Sequence, residues 1–145
     1  MDRFSWNSIK SPQEMCELRL AAMEMFLQDY DAGLTEGRYM NASLPTLPFD
    51  DQQFDLALVS HLLFLNQSLD LQFHLDSLNE LARVAREVRV FPLLNMEGET
   101  SAMLLPVWEL FKDRGYYVEL QPVDYQVQKG GAIMLRLSQS PLSRT

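Results

Sequence analysis

Apolar residues recur at helical spacing in three segments of the chain, and the flanking residues support a helix in each. Ser11, Pro12 and Glu14 form a helix start with a capping box, and Gly33 ends the first pattern. Because the apolar positions of this first segment extend beyond one stripe, we expect that helix to be covered on more than one side. The predicted helices span residues 12–32, 70–85 and 103–114.

Other apolar residues form short runs that are typical of β-strands. The run from Phe54 to Ser60 is almost continuously apolar, as in a strand that is buried on both faces of a parallel sheet. Residues 128–131 have the composition of a turn, so the strands on either side are predicted to form an antiparallel pair. The predicted strands span residues 38–44, 54–60, 87–94, 116–123 and 132–137, and a frayed tail is predicted at 138–145.

This order of elements predicts an α/β fold in a single domain, residues 1–145, with an antiparallel edge to its sheet. A hydrophobic content of 47% is enough for a core, and the net charge of −8 argues against a long nucleic acid as partner. The longest apolar stretch, residues 56–65, is about half of what crosses a bilayer. We therefore expect no membrane partner. The N-terminus does not read as a signal peptide and Cys16 is a single cysteine, so we expect a cytoplasmic protein.

Ser60 and His61 lie just beyond the carboxyl end of the predicted buried strand, where open α/β sheets bind their ligands. Two interpretations remain open: the pair lines a ligand site, or it only caps the strand. A Gly-x-Ser-x-Gly elbow is absent around Ser60, so hydrolase chemistry is not expected. His61 and His74 lack the spacing of metal ligands, and no metal site is predicted.

The segment from Leu44 to His61 reads Leu-Pro-Thr-Leu-Pro-Phe-Asp-Asp-Gln-Gln-Phe-Asp-Leu-Ala-Leu-Val-Ser-His. It resembles the middle of class I S-adenosylmethionine-dependent methyltransferases, in which a Leu-Pro-Phe loop precedes Phe-Asp-Leu and a buried fourth strand. Residues 80–84 resemble the family's helix before strand five, and residues 86–93 resemble that strand in an uncharacterised bacterial methyltransferase-like subgroup. Supporting matches at residues 3–6, 11–12, 38–39 and 128–136 extend the resemblance over nearly the whole chain.

The resemblance implies a partial Rossmann-like methyltransferase sheet with helices on both faces and an antiparallel C-terminal edge hairpin. It implies S-adenosylmethionine as cofactor. It also implies a methyl acceptor, which is a small molecule or a partner of unknown kind. Carried over by position, Ser43 and Leu44 would lie near the adenine, and Ser60 and His61 near the methionine portion. Ser43 stands where the family has an acidic residue, and no catalytic residue is implied.

The family's glycine-rich loop after strand one and its acidic residue at the end of strand two have no counterpart in this sequence. The resemblance is therefore to the C-terminal portion, and we expect a truncated methyltransferase-like chain that is inactive alone. The alternatives are a non-catalytic interaction or oligomerisation module, or one half of a split enzyme.

In the family's sheet, strands one and two lie between strands three and four, so Phe54 to Ser60 should have an unpaired side. Three ways of protecting that side remain open. The predicted strand at 38–44 fills the vacancy, the first helix covers it, or another chain completes the sheet. The other chain would be a second copy in a homodimer or the missing N-terminal half.

Overall fold

A computed structural model describes residues 10–124 and 132–144, and within these ranges the chain divides into two compact units. The first unit contains residues 10–42, and the second contains residues 43–124 and 132–144. The sequence predicted one domain. The predicted turn at 128–131 lies outside the described residues.

The first unit contains one long helix, α1 (Pro12–Thr35). Its start is confirmed, because the Ser11 side chain accepts a hydrogen bond from the Glu14 N–H over 3.1 Å and Pro12 occupies the first turn. The Glu14 carboxylate accepts from the N–H of Lys10 over 2.6 Å, one residue before the cap. The helix extends three residues past the predicted end at 32.

Large apolar side chains of α1 are exposed on several sides of the helix, and Gly33 is its one buried residue. Within the described residues of the first unit, the expectation that α1 is covered on more than one side is therefore not met. The exposed side chains are those of Leu18, Leu20, Met23, Met25, Phe26, Leu27, Tyr30 and Leu34.

After α1 the chain turns back onto the helix. The N–H groups of Arg38 and Tyr39 both donate to the carbonyl of Gly33, over 2.8 and 3.2 Å. The Arg38 guanidinium holds both carboxylate oxygens of Asp29, over 2.6 and 2.9 Å, and the Tyr39 hydroxyl donates to the same carboxylate. The predicted strand at 38–44 is wrong, because these bonds fold its first residues against the helix. Near the end of the predicted strand, Ser43 forms an isolated antiparallel bridge with Thr46 and does not belong to a longer strand.

The second unit alternates strands and helices, and each element overlaps a predicted one. The N-cap of its first helix is Asp70, whose side chain accepts from the N–H of Phe73 over 2.8 Å. The elements are β1 (Phe54–Ser60), α2 (Leu71–Val84), β2 (Ala85–Phe91), α3 (Leu104–Asp113), β3 (Tyr117–Pro122) and β4 (Ile133–Ser138).

The four strands form one open mixed sheet in the order β1-β2-β4-β3. β1 and β2 are parallel, with Ser60 opposite Phe91 at their carboxyl ends. β4 runs antiparallel to both β2 and β3, which confirms the predicted antiparallel pair. The fold is therefore mixed α/β, and among the described residues β1 is an edge strand.

One face of the sheet carries the hydrophobic core, where Val88 and Leu135 pack with Leu78 of α2 and Phe111 of α3. Both helices of the second unit, α2 and α3, pack on this face of the sheet. We expected helices on both faces of the sheet, and the described residues of the second unit place none on the opposite face. The alternate positions of the strands point to the opposite face and include charged side chains that bond to each other. These are Glu87, Arg89, Glu119 and Arg136.

Arg136 is only 2% exposed although it points away from the core. Its guanidinium donates to Glu87 over 2.8 Å, to Glu119 over 3.2 Å and to the carbonyl of Ser143 over 2.8 Å. A frayed tail was predicted from residue 138 onwards. In the structure Ser138 lies within β4, and Ser143 is held by the buried arginine.

Candidate functional site

The carboxyl ends of β1 and β2 lie side by side at one edge of the second unit. The His61 N–H donates to the carbonyl of Phe91 over 2.9 Å, which fixes the chain just beyond β1 to the end of β2. Ser60 is the last residue of β1 and His61 follows it directly, as the sequence indicated. Ligands of open α/β sheets bind at such carboxyl ends.

Ser60 and His61 form a hydrogen-bonded pair that is open to solvent. The Ser60 Oγ lies 2.6 Å from Nδ1 of His61, and both residues are exposed. His61 has φ of 57°, in the left-handed region, so the chain turns sharply here. A hydroxyl and an imidazole in contact can pass a proton to or from a bound group, and the tautomer of His61 decides which of them donates.

Both interpretations of this pair therefore remain compatible with the geometry. The backbone of His61 closes the strand through its bond to Phe91, which is the capping role. The side chains of Ser60 and His61 remain accessible, which is what a ligand site requires.

The other two predicted site residues, Ser43 and Leu44, lie in the segment that precedes β1. The carbonyl of Ser43 accepts from the N–H of Thr46 over 3.3 Å, and the half-buried Leu44 packs against the core. Among the contacts of the described residues, none joins this pair to Ser60 or His61. The predicted adenine-side pair thus precedes β1, and the predicted methionine-side pair lies at its carboxyl end.

The segment before β1 is fastened to α2 by an ion pair that the sequence analysis did not single out. Glu80 accepts a hydrogen bond from the Leu47 N–H over 2.8 Å and is bonded to Arg83 over 2.7 Å. Arg83 donates to the carbonyls of Phe49, over 2.9 Å, and Leu47, over 3.3 Å, and to the Asp51 carboxylate over 2.8 Å. This pair therefore fixes the loop that carries the Leu-Pro-Phe sequence.

The Glu80 carboxylate is held in its charged form. The hydrogen bonds from Arg83 and, to a smaller extent, from the Leu47 N–H together lower the pKa of Glu80 to about 2, although burial opposes them. The pKa of Arg83 is raised above its usual value by its bonds to Glu80 and Asp51. The i,i+3 spacing of Glu80 and Arg83 on a predicted helix indicates an ion pair. Their bonds to a loop more than 30 residues away in the sequence have no such local pattern.

The loops that follow β1 and β2 are also connected. The Asn95 side-chain oxygen accepts from the N–H groups of Glu97 and Glu99, each over 3.0 Å, so this loop is tightly folded. The Gln67 amide donates to the Glu97 carboxylate and links the segment after His61 to the loop after β2. The two loops thereby flank the strand ends.

An open apolar cavity of about 510 Å³ lies elsewhere in the second unit. Leu104, Leu105 and Trp108 of α3 and Leu120 of β3 line it, and none of the four predicted site residues does. Its volume is that of a small-molecule site, but its lining is almost wholly apolar.

Residues 10–124 and 132–144 contain no group of three or more His, Cys, Asp or Glu side chains arranged to hold a metal ion. No helix in these ranges is both long enough and apolar enough to span a bilayer.

Comparison with known proteins shows similarity to an archaeal protein. The chain is 34% identical over 131 residues to an uncharacterized protein of Methanocaldococcus jannaschii, a match that covers 90% of this chain. The match covers 56% of the archaeal protein, so the chain spans about half the length of this relative. No protein-family profile matches the chain, and no solved structure matches it.

Proposed function

We propose that this chain is the C-terminal portion of an S-adenosylmethionine-dependent methyltransferase fold and that it does not methylate alone. The observation that carries the proposal is the arrangement around β1. Its carboxyl end presents Ser60 and His61 beside β2, while its other side is unpaired among the described residues. The resemblance expects the cofactor-binding strands on that unpaired side.

The strand arrangement supports the same proposal. Residues that resemble strands four and five lie in β1 and β2, which pair in parallel. The last two strands form an antiparallel pair at the far side of β2.

The described residues do not fit S-adenosylmethionine on their own. Ser43 offers a hydroxyl where the family has a carboxylate, and its segment makes no described contact with Ser60 or His61. The sequence contains no Gly-x-Gly turn between a strand and a helix to receive the methionine end of the cofactor. We therefore assign no catalytic step to this chain alone.

A second candidate function is that of a non-catalytic interaction module. The observation that favours it is the exposed apolar face of β1, where Leu58 is 72% exposed. An unpaired strand with apolar side chains is a common site of protein association.

The DNA next to the coding region discriminates between these candidates. A neighbouring open or frameshifted reading frame that encodes a strand, a Gly-x-Gly loop and an acidic strand end would support the methyltransferase proposal. Unrelated sequence on both sides would contradict it and favour the interaction module.

A further inference from the structure

The outer edge of β1 lacks the features that usually prevent strands from pairing with other chains. Within residues 10–124 and 132–144, β1 pairs with β2 alone, so its outer backbone groups bond to no other strand. The strand contains no proline or lysine, and its register with β2 has no bulge. Asp55, the one charged residue in β1, has a side chain that is 91% exposed and lies 3.6 Å from Arg86.

The face of β1 that points away from the core is apolar and accessible. Phe54, Leu56 and Leu58 alternate along this face and are 38%, 40% and 72% exposed. On the opposite face, Ala57 and Val59 pack against the core. Leu56 and Leu58 are the residues that a neighbouring strand would cover.

We propose that a second copy of this chain occupies the edge, with the two β1 strands paired antiparallel about a two-fold axis at Ala57. This register pairs all seven residues of β1, and a shift by one residue leaves some unpaired. It places Leu56 opposite Leu58 of the second copy, so four leucines meet on one face.

The charges next to this edge favour a second copy. Asp55 would face Val59 of the second copy, so no two like charges are opposed in the register. In the existing sheet Leu56 pairs with Glu87 and Leu58 with Arg89, and these two charged residues bond to each other over 2.7 Å. The joined sheet would therefore have an apolar centre, and on each side of it a Glu87–Arg89 ion pair without net charge.

This inference does not depend on the methyltransferase proposal. It concerns the association of the 145-residue chain with itself. An N-terminal half that completed the methyltransferase sheet would instead pair with the outer edge of β1. Pairing with a second copy and completion by such a half therefore exclude each other.

The first test compares Leu58→Lys with Leu105→Lys by sedimentation equilibrium. Leu105 is a matched control because it is 63% exposed and lies on α3. We expect the wild type and Leu105→Lys to dimerise equally, and Leu58→Lys to raise the dimer dissociation constant at least about tenfold, since it places two like charges in the apolar centre. A wild type that stays monomeric at every concentration, or an unweakened Leu58→Lys dimer, overturns the inference.

The second test checks the register with Ala57→Cys in a Cys16→Ser background. Directly opposed residues of antiparallel strands have Cα atoms about 4.5–5.5 Å apart, within the range of a disulfide. We expect Ala57→Cys to form a dimeric disulfide on mild oxidation. Absence of this product, or its formation only in mixtures with another protein, contradicts the two-fold pairing at Ala57.

Discussion

The backbone N–H of Phe64 donates to Nε2 of His74 over 2.9 Å in the interior of the second unit. Both residues are buried, and Phe64 has φ of 69°, a left-handed conformation that a bulky residue seldom adopts. Nδ1 of His74 lies 2.7 Å from the carbonyl of Asp70. Since Nε2 accepts, Nδ1 carries the proton, and His74 is a neutral structural residue that secures the turn beyond β1.

His74→Ala should destabilise the protein strongly. The substitution leaves the buried Phe64 N–H without its acceptor and opens a cavity, which together cost about 3 kcal/mol. His61→Asn is the control, because His61 is exposed and asparagine tolerates its left-handed backbone. Urea unfolding followed by circular dichroism measures both variants, and equal losses of stability would contradict the structural role of His74.

Glu80→Gln should remove a pH-dependent part of the stability. The folded-state pKa of Glu80 is about 2, below its usual 4.5, so the stabilisation is fully present above pH 4.5 and is lost as the pH falls towards 2. We expect Glu80→Gln to be less stable by about 2 kcal/mol at neutral pH, with the difference vanishing at acid pH. The glutamine can still accept from the Leu47 N–H.

Urea titrations of both proteins at several pH values provide the measurement. Glu109→Gln is the control, because Glu109 is exposed on α3. A difference between wild type and Glu80→Gln that stays constant from pH 7 to pH 2 would refute the assigned ion pair.

Gly33→Ala should have opposite effects with and without Tyr39. A Cβ at residue 33 would overlap the Tyr39 ring, so alanine should displace that ring and weaken its bond to Asp29. In a Tyr39→Ala background the clash is absent, and alanine should stabilise the helix by up to about 1 kcal/mol over glycine. Amide hydrogen exchange along α1 in the four proteins of this cycle measures the coupling, and the same sign in both backgrounds would disprove it.

Arg136→Gln should be far more damaging than Arg89→Gln. Burial disfavours the charged form of Glu87, but bonds from Arg136 and Arg89 outweigh burial and keep its pKa below the usual value. Without the buried Arg136 the Glu87 charge loses its main partner, at a cost of about 3 kcal/mol. The side chain of Arg89 is 26% exposed, and its loss should cost less than about 1 kcal/mol. Chemical denaturation of both variants measures the two losses of unfolding free energy, and equal losses would contradict the predicted order.

The local elements could be predicted from the sequence because their signals are local. Ser11 and Asp70 cap helices by bonding to N–H groups three residues away, and the apolar run of β1 marks a strand wherever it is placed. The strand predicted at 38–44 failed for a different reason. Arg38 and Tyr39 find partners in Asp29 and Gly33, a contact across a turn that strand propensity does not contain.

The candidate site was predictable only in part. The position of Ser60 and His61 followed from the end of an apolar run, whereas the bond of His61 to Phe91 depends on the pairing of β1 with β2. The Glu80 and Arg83 contacts to the Leu-Pro-Phe loop, and the burial of Arg136, also arise from tertiary packing. Single-sequence patterns do not specify such packing, because the partners lie 30 or more residues apart.

Titration calorimetry with S-adenosylmethionine tests the central claim most directly when this chain and the longer archaeal relative are compared. The account predicts that the relative binds the cofactor with a dissociation constant below about 1 mM, and that this chain shows no binding in that range. Binding by this chain alone would contradict the claim that its cofactor site is incomplete. Failure of the relative to bind would contradict the assignment of the shared region to a methyltransferase fold.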